Sequence, residues 1–494
     1  MQSITKRISQ KGTARSLTFL SAALAGAFAL SACGDSDGNG DGDGDDASGG
    51  TANGTGGDDT GETGSGGKTA SGGANLGGMD AGGQGGMGGT EPTDRCDSDN
   101  GGIDLPDGFC AVVAAESLGH ARHLTVTPSG DVFVAVNPAP DGSLPGNIIG
   151  LRDTDDDGKF DQKSTFNTVG GNSIVWRDGE LFFAEKDRII KYTLPDGELE
   201  PTGEAKVIVS GLPASGDHYS KTIVFSDDET MFVNIGSASN SCQEANRQLE
   251  SPGNDPCLEL EERAGVWVFD PTVLNQTAED GERYAIGTRN LNALALQPNT
   301  DVVWGVMNGR DQLYENWPDY YAPEDDARLP SERLLRLQEG DDYGWPYCYH
   351  DPDLGMVLAP EYGGDGETVG DCDTYNEAAF AFPGHWAPLG AVFYEGTQFP
   401  KHYRDGLFVA FHGSRFEPNA TGDLPGYQVA FLPIDGDEAG DEFETFASGF
   451  AGPKRPLPEM AESRPVGVTV ANDGSLYITD DHGGKLWRVF YTGD

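Results

Sequence analysis

Basic side chains are scarce in this sequence of 494 residues. It has 32 Lys and Arg against 81 Asp and Glu, which leaves a formal charge of −49. Nucleic-acid binding depends on clustered Lys and Arg that neutralise phosphates, so this balance argues against a nucleic-acid partner. It also disfavours docking on anionic lipid by charge alone.

Two further patterns are missing. No CxxC pair occurs, which argues against a zinc or thioredoxin-like site, and no CxxCH motif is present that would attach haem. Helical periodicity is hard to find, whereas short apolar runs bounded by Gly, Pro, Asn and Asp recur throughout. The sequence therefore predicts an all-β domain without its own haem.

The N-terminus is typical of an exported lipoprotein. A basic stretch is followed by the apolar residues 17–30, a run too short to span a bilayer comfortably. It ends in Leu30-Ser31-Ala32-Cys33, which resembles a bacterial lipobox. We predict a signal peptide over 1–32, lipidation of Cys33 and membrane attachment through that lipid anchor only. The alternative is an ordinary cleaved signal followed by an unrelated cysteine.

Residues 33–94 form the predicted linker. From Gly34 onward they are mostly Gly, Asp, Ser and Thr, which bury too little apolar surface to offset chain entropy. We expect a disordered tether with an end-to-end distance of about 40–50 Å, ahead of a folded domain over 95–494.

The other six cysteines lie in three close pairs along the chain. An exported protein meets an oxidising compartment, so we predict three disulfides. The predicted bridges are Cys96–Cys110, Cys242–Cys257 and Cys348–Cys372.

A repeated phrase dominates the folded part: an apolar strand, a polar turn and a second apolar strand. Six copies of a multi-strand unit predict a six-bladed β-propeller. The longer spacing after the third and fourth copies indicates insertions, which in a propeller build the binding face. The copies begin at His123, Ser173, Thr222, Ala293, Ala391 and Val466.

Eight short motifs, taken in order, resemble the pyrroloquinoline quinone (PQQ) dependent glucose/sorbosone dehydrogenases. The resemblance covers residues 105–491 and implies a six-bladed propeller that oxidises a small-molecule sugar in the periplasm and passes electrons to a separate acceptor. The motifs are Gly216-Asp217-His218 and residues 233–237, 287–290, 308–311, 343–348, 385–390, 412–414 and 464–467.

The resemblance assigns catalysis to three of these residues. Oxidation of an alcohol by hydride removal needs a base for the hydroxyl proton, and His218 matches the family's base. Asp217 beside it is expected to orient the ring and stabilise its protonated form. Arg289 is expected to stabilise negative charge developing on the quinone, with Asn290 also on the cofactor. The plainer alternatives are a surface-loop histidine and an arginine that ties one loop to a neighbouring blade.

The resemblance also implies Ca²⁺ and further cofactor contacts. Calcium takes backbone carbonyls as ligands, and those of Gly309 and Arg310 match the family's calcium loop, although Arg310 stands where better-known glucose dehydrogenases have Pro. Arg464 aligns with an arginine that grips a PQQ carboxylate. The family's second arginine is replaced by Val466 and its lysine near His412 is absent, which points to the sorbosone-type branch. Arg122, His385 and Arg415 are the remaining candidates for the cofactor pocket.

Two motifs stay open. Asp153-Thr154-Asp155-Asp156-Asp157-Gly158 resembles the start of an EF-hand loop, but Ser164 replaces the acid at the twelfth position. It is either an acidic hairpin turn or a weak calcium site. Trp345 lies in a turn that we expect to be packed near the Cys348 bridge, with a pocket-lining role as the alternative.

The predicted reaction is hydride transfer from the carbinol carbon of an aldose, or of an aldehyde hydrate such as sorbosone, to PQQ. Two other classes remain as alternatives. A calcium-dependent lactonase propeller would also place metal and carboxylates at a central tunnel. A binding propeller without catalysis is the other, because fold does not fix function.

Overall fold

A computed structural model describes residues 95–226, 230–416, 424–453 and 457–493. These residues are mostly strands and turns, and they form the six-bladed β-propeller that the repeated phrase predicts. The predicted signal peptide (1–32), the predicted linker (33–94) and Cys33 lie outside the described residues, so those predictions stand untested.

Thirty strands account for the described architecture. In chain order they are β1 (Phe109–Ala115), β2 (His120–Val126), β3 (Val132–Asn137), β4 (Asn147–Arg152), β5 (Gln162–Phe166), β6 (Ser173–Arg177), β7 (Glu180–Ala184), β8 (Arg188–Thr193), β9 (Lys206–Ser210), β10 (Ile223–Phe225), β11 (Met231–Ile235), β12 (Gly265–Phe269), β13 (Gln276–Thr277), β14 (Glu282–Ile286), β15 (Ala293–Leu296), β16 (Val303–Met307), β17 (Glu332–Leu337), β18 (Asp341–Asp342), β19 (Cys348–Asp351), β20 (Gly355–Leu358), β21 (Phe380–Phe382), β22 (Pro388–Phe393), β23 (Leu407–His412), β24 (Tyr427–Leu432), β25 (Ile434–Asp435), β26 (Glu438–Ala439), β27 (Glu444–Ala447), β28 (Pro465–Val470), β29 (Leu476–Asp480) and β30 (Leu486–Tyr491).

Each blade is an antiparallel meander of four strands. In sheet order, blade 1 is β2-β3-β4-β5, blade 2 is β6-β7-β8-β9 and blade 3 is β10-β11-β12-β14. Blade 4 is β15-β16-β17-β21, blade 5 is β22-β23-β24-β27 and blade 6 is β28-β29-β30-β1. The short strands β13 and β18 extend blades 2 and 3 in parallel. The hairpins β19-β20 and β25-β26 lie outside the blades.

The ring is closed by the first strand of the described chain. Strand β1 pairs antiparallel with β30, with Phe109 opposite Tyr491 and Ala111 opposite Val489, and so supplies the outermost strand of blade 6. The innermost strands β2, β6, β10, β15, β22 and β28 each contact their two neighbours around the ring. Pairing between the first and the last described strand within one blade holds the ring closed.

The core lies between neighbouring blades. The second strands are covered on both faces, and the residues of β3 are all buried, which gives a nearly continuous apolar run. The outermost strand β5 is mostly exposed and correspondingly polar. Between blades 5 and 6, the ring of Phe109 meets those of Phe399, Tyr403 and Phe446 edge-on at 4.8, 5.4 and 5.1 Å between centroids.

Helices are few and short in the part of the chain that the structure describes. Two α-helical turns, α1 (Leu313–Asn316) and α2 (Asp325–Arg328), lie in the insertion between β16 and β17. None of the described helices combines the length and the hydrophobicity needed to cross a bilayer. Turns of 3-10 helix occur at Asn100–Gly102, Leu258–Glu261, Ala278–Asp280, Pro360–Tyr362, Cys372–Thr374, Lys401–Tyr403 and Pro458–Met460.

All three predicted disulfides are confirmed. The structure joins Cys96 to Cys110, Cys242 to Cys257 and Cys348 to Cys372. The first reaches into closing strand β1, and the other two lie in the long insertions that follow β11 and β17. Three bridges fit a protein that folds in an oxidising compartment.

Most of the sequence motifs lie on one side of the ring. Successive strands of a blade run in opposite directions, so the connection into each innermost strand and the connection leaving each second strand open on the same side. We call this side the site face. It carries the connections into β2, β6, β10, β15, β22 and β28, and those leaving β3, β7, β11, β16, β23 and β29.

Ring closure predicts a strong effect of charge in β1. Ala111 is fully buried in this strand, opposite Val489. We expect Ala111→Asp to lower the free energy of unfolding by more than about 3 kcal/mol, because the carboxylate would be buried in an apolar cluster without a partner. Equilibrium unfolding in guanidinium chloride measures the loss in free energy of unfolding.

The matched control is Thr165→Asp, which introduces the same side chain at an exposed position of outermost strand β5. It should change stability by no more than about 0.5 kcal/mol. Equal effects of the two substitutions would show that β1 does not close the ring.

Candidate active site

His218 lies in the connection into β10, on the site face, and only 1% of its surface is exposed. Its Nδ1 is 2.8 Å from the hydroxyl of Ser237 and 3.2 Å from the carbonyl oxygen of the same residue. Its Nε2 is buried and has no hydrogen-bond partner among the described residues. A Cβ at Gly236 would lie 2.6 Å from His218 Cβ and 3.2 Å from Asn290 Oδ1, so the two side chains face one another across this glycine.

The contacts of Ser237 determine the tautomer of His218. The Ser237 hydroxyl donates to the carbonyl oxygen of Ser239 at 2.6 Å, so towards the imidazole it can only accept. Nδ1 of His218 therefore carries the proton and Nε2 carries the lone pair. Burial, and then the positive charges of Arg289 and Arg247, hold the pKa of His218 well below 6.5. The ring is a neutral base at neutral pH.

The partner predicted for Asp217 is wrong. Its Oδ2 accepts from Arg247 Nε at 2.9 Å and from Asn246 Nδ2 at 3.3 Å, whereas the hydrogen-bonded partner of the His218 ring is Ser237. Asp217 and His218 lie in a turn, and the carboxylate of Asp217 is directed to Arg247 instead of to the imidazole. Asp217 instead anchors the insertion that follows β11.

That insertion also holds Ser237 in place. Glu259 Oε2 accepts from the backbone N–H of Ala238 at 2.6 Å and of Ser239 at 3.2 Å. Glu259 lies just after Cys257, which is bridged to Cys242. The disulfide-braced insertion thus fixes the loop that orients the imidazole of His218.

Arg289 and Asn290 lie in the connection into β15, as predicted for residues that reach the central site. The guanidinium of Arg289 is fully buried; its Nε donates to the carbonyl oxygen of Asn240 at 3.2 Å, and its Nη2 lies 3.3 Å from Asp311 Oδ2. Nη1 of Arg289 and Nδ2 of Asn290 are buried donors without a partner among the described residues. Each such group costs about 1–3 kcal/mol when it stays unpaired, so the pair indicates a place that a bound acceptor completes.

Asp311 connects these elements. Its Oδ2 is 3.2 Å from Arg247 Nη1 and 3.3 Å from Arg289 Nη2, and its Oδ1 is 3.3 Å from His385 Nδ1. Burial alone would raise the pKa of Asp311, but the hydrogen bond from His385 and the guanidinium groups of Arg289 and Arg247 hold it well below its usual value. The carboxylate therefore stays charged and joins blades 3, 4 and 5 at the site face.

Asn240 supports both members of this ion pair. Its side-chain oxygen accepts from Arg289 Nη2 at 3.1 Å and from the backbone N–H of Asp311 at 2.9 Å. Its carbonyl oxygen also accepts from Trp345 Nε1 at 3.0 Å. Trp345 is buried against the Cys242–Cys257 bridge, so its indole ties the Asn240 loop to the insertion.

The predicted calcium loop sits beside a buried carboxyl group. Gly309 N–H donates to Glu332 Oε2 at 2.6 Å, and the other oxygen of Glu332 accepts from Ala387 N–H at 3.1 Å. Burial raises the pKa of Glu332 to about 7. None of the hydrogen bonds formed by the described residues ends on the carbonyl oxygens of Gly309 or Arg310. The side chain of Arg310 points away from the loop into a buried ion pair with Glu361.

These carbonyl oxygens fit the predicted role. Carbonyls that accept no hydrogen bond suit calcium, which prefers oxygen ligands. The unpaired donors of Arg289 and Asn290 suit an anionic group that carries carbonyl oxygens. The residues present are therefore compatible with Ca²⁺ and with a quinone cofactor such as PQQ.

A second charged cluster on the site face contains two of the predicted cofactor contacts. Asp481 accepts from Arg122 Nη1 at 2.8 Å and lies 2.7 Å from His412 Nε2, while Arg464 Nε donates to the carbonyl oxygen of His412 at 3.0 Å. Burial opposes the charge of Asp481, but the pKa of its carboxyl is lowered, first by His412 and then by Arg122. The structure therefore brings Arg122 and Arg464 together around one carboxylate.

Arg415 and His385 meet through an aromatic ring. The guanidinium of Arg415 lies 4.0 Å from the ring centre of Phe416, and that ring lies 4.5 Å from the imidazole of His385. Nε and Nη2 of Arg415 are buried and have no partner within the described ranges. His385 Nε2 is 2.7 Å from the carbonyl oxygen of Leu329, so the imidazole of His385 contacts Leu329 through Nε2 and Asp311 through Nδ1.

A chain of hydrogen bonds, which we call the belt, runs from Arg122 to Asn292. Arg122 Nε donates to Asn172 Oδ1 at 2.8 Å, Asn172 Nδ2 donates to Thr222 Oγ1 at 3.2 Å, and Thr222 donates to the carbonyl oxygen of Asn292 at 2.9 Å. The belt links blades 1 to 4 at the start of their innermost strands. It fixes the spacing between the two charged clusters.

The acidic turn lies apart from this site. The carboxylates of Asp153, Asp155 and Asp157 come within 4.8 Å of one another between β4 and β5 of blade 1. Gly158 N–H already donates to Asp153 Oδ2 at 2.9 Å. Both interpretations of this turn, an acidic hairpin or a weak calcium site, remain open.

Ser237, Asn240, Arg247, Asp311 and Asp481 belong to the site and were not predicted. Ser237 and Asp311 lie inside motifs that the sequence analysis quoted, and Ser237, Asp311 and Asp481 are polar residues that follow the end of a second strand (β11, β16 and β29) within a few positions. That position was the available signal, because such residues point onto the site face. Asn240 and Arg247 belong to the disulfide-braced insertion and carry no pattern of their own.

A family model described as TrAA12-like matches residues 103–492. Among solved structures, the calcium structure of family AA12 of the carbohydrate-active enzymes from Trichoderma reesei gives a TM-score of 0.64 at 17% identity, covering 79% of this chain and 97% of that one. The holo form of the PQQ domain of pyranose dehydrogenase from Coprinopsis cinerea gives 0.61 at 16%, covering 78% and 97%. At these identities the likeness shows the fold.

One curated relative matches part of the chain. An uncharacterized protein of Borreliella burgdorferi is 28% identical over 228 residues, which is 44% of this chain and 51% of the relative. The chain thus spans about half the length of the curated relative it matches.

The Ser237 contact predicts a moderate loss of activity on mutation. Ser237→Ala removes the 2.8 Å acceptor of His218 Nδ1 but leaves the backbone carbonyl at 3.2 Å. We expect kcat to fall about tenfold, the effect of one hydrogen bond of about 1.4 kcal/mol. Steady-state oxidation of the best sugar measures it. Ser210→Ala is the control, since that hydroxyl also bonds to a carbonyl but far from the site; equal losses would contradict the assignment.

The lowered pKa of His218 predicts the pH profile. Because the folded protein disfavours the protonated ring, the base is already neutral at pH 6.5. We expect log kcat/KM to show no histidine ionisation above pH 6.5, with its acid limb below that value. A limb centred at or above pH 6.5 that His218→Asn removes would show that the ring is not held neutral.

Proposed function

The chain belongs to the TrAA12-like family, and from that premise we propose that it is a PQQ-dependent oxidoreductase that oxidises an aldose or a sorbosone-like sugar with the help of calcium. The observation that carries the proposal is the arrangement around His218. A neutral imidazole with a buried, unpartnered Nε2 lies across Gly236 from Asn290, next to the unpaired donor of Arg289. A base facing anion-binding donors suits proton removal coupled to electron transfer.

Different residues of the site would bind the metal ion and the cofactor. The carbonyl oxygens of Gly309 and Arg310 would hold Ca²⁺. The donors of Arg289, Asn290 and Arg415 would bind the cofactor, with the Arg122 and Arg464 cluster on the opposite side of the same face. When bound, PQQ would supply the two-electron acceptor and calcium the Lewis acid that polarises it. The holo Coprinopsis domain and the calcium structure from Trichoderma support this pairing of cofactors.

His218 moves the proton in this proposal. Its Nε2 accepts the proton of the carbinol hydroxyl, and Ser237 keeps Nδ1–H pointed away from the substrate. Once protonated, the imidazolium is stabilised by the negative charge of Asp311. Burial of His218 and Arg289 excludes water, which strengthens both electrostatic contacts.

Export and anchoring form part of the proposal. The three disulfides support folding in an oxidising compartment. We propose that the protein is exported, is attached through lipid on Cys33, faces the periplasm or the cell surface, and passes its electrons to a separate acceptor.

The test is titration of the purified protein with PQQ in the presence and absence of Ca²⁺, followed by addition of aldoses and sorbosone. We expect calcium-dependent binding at micromolar PQQ, seen in the quinone absorbance, and reduction when the right sugar is added. Failure to bind PQQ would overturn the proposal and bring forward a lactonase or a non-catalytic binding propeller. Hydrolysis of a lactone in the absence of PQQ would favour the lactonase over the non-catalytic binding propeller.

A matched pair of variants locates the cofactor. Arg289→Lys should lower kcat about 10- to 100-fold, because a single ammonium nitrogen cannot occupy the separate positions from which the guanidinium nitrogens reach Asn240, Asp311 and a ligand. Arg283→Lys alters an arginine of neighbouring strand β14 that stacks on Trp267, and it should leave PQQ binding unchanged. Equal behaviour of the two variants would place the cofactor elsewhere.

A further inference from the structure

Among the described residues, three buried carboxylates belong to or contact the predicted calcium loop, residues 308–311. Asp311 and Glu361 are each paired with an arginine. Glu332 is 2% exposed and takes part in no ion pair within the part of the chain that the structure describes; backbone N–H groups are its hydrogen-bond donors there. Buried charges in proteins are paired or coordinate a metal, so the carboxylate of Glu332 favours a cation beside it.

Glu332 is the first residue of β17 and holds the calcium loop by its backbone. Its Oε2 accepts from the N–H of Gly309 at 2.6 Å. A Cβ at Gly309 would lie 2.7 Å from Pro330 Cγ and 3.4 Å from the carbonyl oxygen of Ser331, so the loop packs directly against the segment that leads into β17. The position of the loop is therefore fixed by Glu332 and by the residues immediately before it.

The second segment that Glu332 holds has a strained backbone. Ala387 N–H donates to Glu332 Oε1 at 3.1 Å, and Ala387 and His385 have φ angles of 56° and 62°, which non-glycine residues rarely adopt. Such residues persist where their surroundings hold them, and they cluster at ligand sites. Here Glu332 holds the segment together with a hydrogen bond of 2.9 Å from Asn308 Nδ2 to the carbonyl oxygen of Pro388.

The charge of Glu332 also suits a metal ion on the loop. The carbonyl oxygens of Gly309 and Arg310 carry no formal charge, and the guanidinium of Arg289 contacts Asp311 of the same loop. Like charges repel strongly in a buried site where little water screens them, so a dication there needs a carboxylate to offset its charge. Asp311 already offsets Arg289, which leaves Glu332 to offset the metal.

We propose that Glu332 is the positioning residue of the calcium loop: it orients the loop that presents the two carbonyl oxygens, and its negative charge offsets that of the bound Ca²⁺. It is not itself a ligand in this proposal, because both of its oxygens accept from backbone N–H groups. The inference rests on the proposed calcium-assisted oxidation and deepens it, because it assigns much of the affinity for the metal to a residue outside the predicted ligand set.

The test measures Ca²⁺ affinity by titration calorimetry of the purified protein without PQQ. All proteins carry Asp155→Asn, which removes a carboxylate of the acidic turn so that calcium binding there does not mask the loop. Glu332→Gln keeps the shape of the side chain but carries no charge and has one oxygen for two N–H donors. We expect it to lower Ca²⁺ affinity about 10- to 100-fold, the usual effect of losing a group that orients metal ligands.

A second variant and a second readout accompany this titration. Glu332→Asp keeps the charge but shortens the side chain, so it should also lower Ca²⁺ affinity, by less than Glu332→Gln does. The Ca²⁺ concentration that gives half-maximal PQQ binding, followed by the quinone absorbance, should rise in the same order. If Glu332→Gln does not fold, the comparison of Glu332→Asp with the unsubstituted residue decides, and equal affinities of those two proteins would overturn the proposal.

Glu185→Gln is the matched control. Glu185 is 3% exposed, follows β7 on the site face of blade 2 and accepts from Arg188 Nε at 2.6 Å. Its substitution removes a buried carboxylate far from the loop in the chain and should leave Ca²⁺ affinity unchanged. Unfolding of each protein in guanidinium chloride without Ca²⁺ distinguishes a general loss of stability from a loss of metal binding.

The outcomes separate this inference from the proposed function. Equal Ca²⁺ affinities with Glu332 and with Gln at that position, equal losses in Glu332→Gln and Glu185→Gln, or no Ca²⁺ binding in either titration would overturn the assignment even where sugar oxidation is observed. A loss of Ca²⁺ affinity specific to the Glu332 variants, without oxidation of any sugar by the PQQ- and Ca²⁺-loaded protein, would support the role of Glu332 and overturn the proposed oxidation.

Discussion

The carboxylate of Asp311 is 1% exposed and lies among three side chains, Arg247, Arg289 and His385. These come from the insertion after β11 and from the connections into β15 and β22, so a single buried charge fixes three blades relative to one another. A buried carboxylate is costly to desolvate, and removing one partner of such a cluster leaves a charge uncompensated. The position of Arg289, and through it the electrostatic environment of His218, depends on this cluster.

Together with burial, the cluster explains why His218 stays neutral. Burial opposes protonation of the ring most strongly, followed by the guanidinium groups of Arg289 and Arg247, whereas Asp311 and the backbone carbonyl of Ser237 favour it. Ser237, which donates its own proton to Ser239, can only accept from Nδ1. The lone pair is thereby left on Nε2, beside the donors of Arg289 and Asn290. Base and anion-binding groups are set by one hydrogen-bond network, so the site is preorganised before any ligand binds.

Much of the fold could be predicted because blades repeat. The second strand of each blade is almost entirely buried and shows as an apolar run, and the disulfides join cysteines that are neighbours in sequence. Outermost strand β5 is mostly exposed and polar and gave no signal, whereas outermost strand β1 is apolar and largely buried. Family motifs located His218 and Arg289 but misassigned Asp217, because the residue that holds a side chain is set by packing. Ser237 reaches the imidazole from 19 positions further along the chain.

The central claim is that His218 is a neutral base whose lone pair lies on Nε2. Nitrogen-15 NMR of histidine-labelled protein, with His218→Asn to assign the signal, tests it directly. Between pH 6.5 and 8 we expect the shifts of a neutral ring protonated on Nδ1, a tautomer that is uncommon for free histidine. A ring protonated on Nε2, or one that titrates near its ordinary pKa, would contradict the account, because Ser237 and Arg289 would then not control the base.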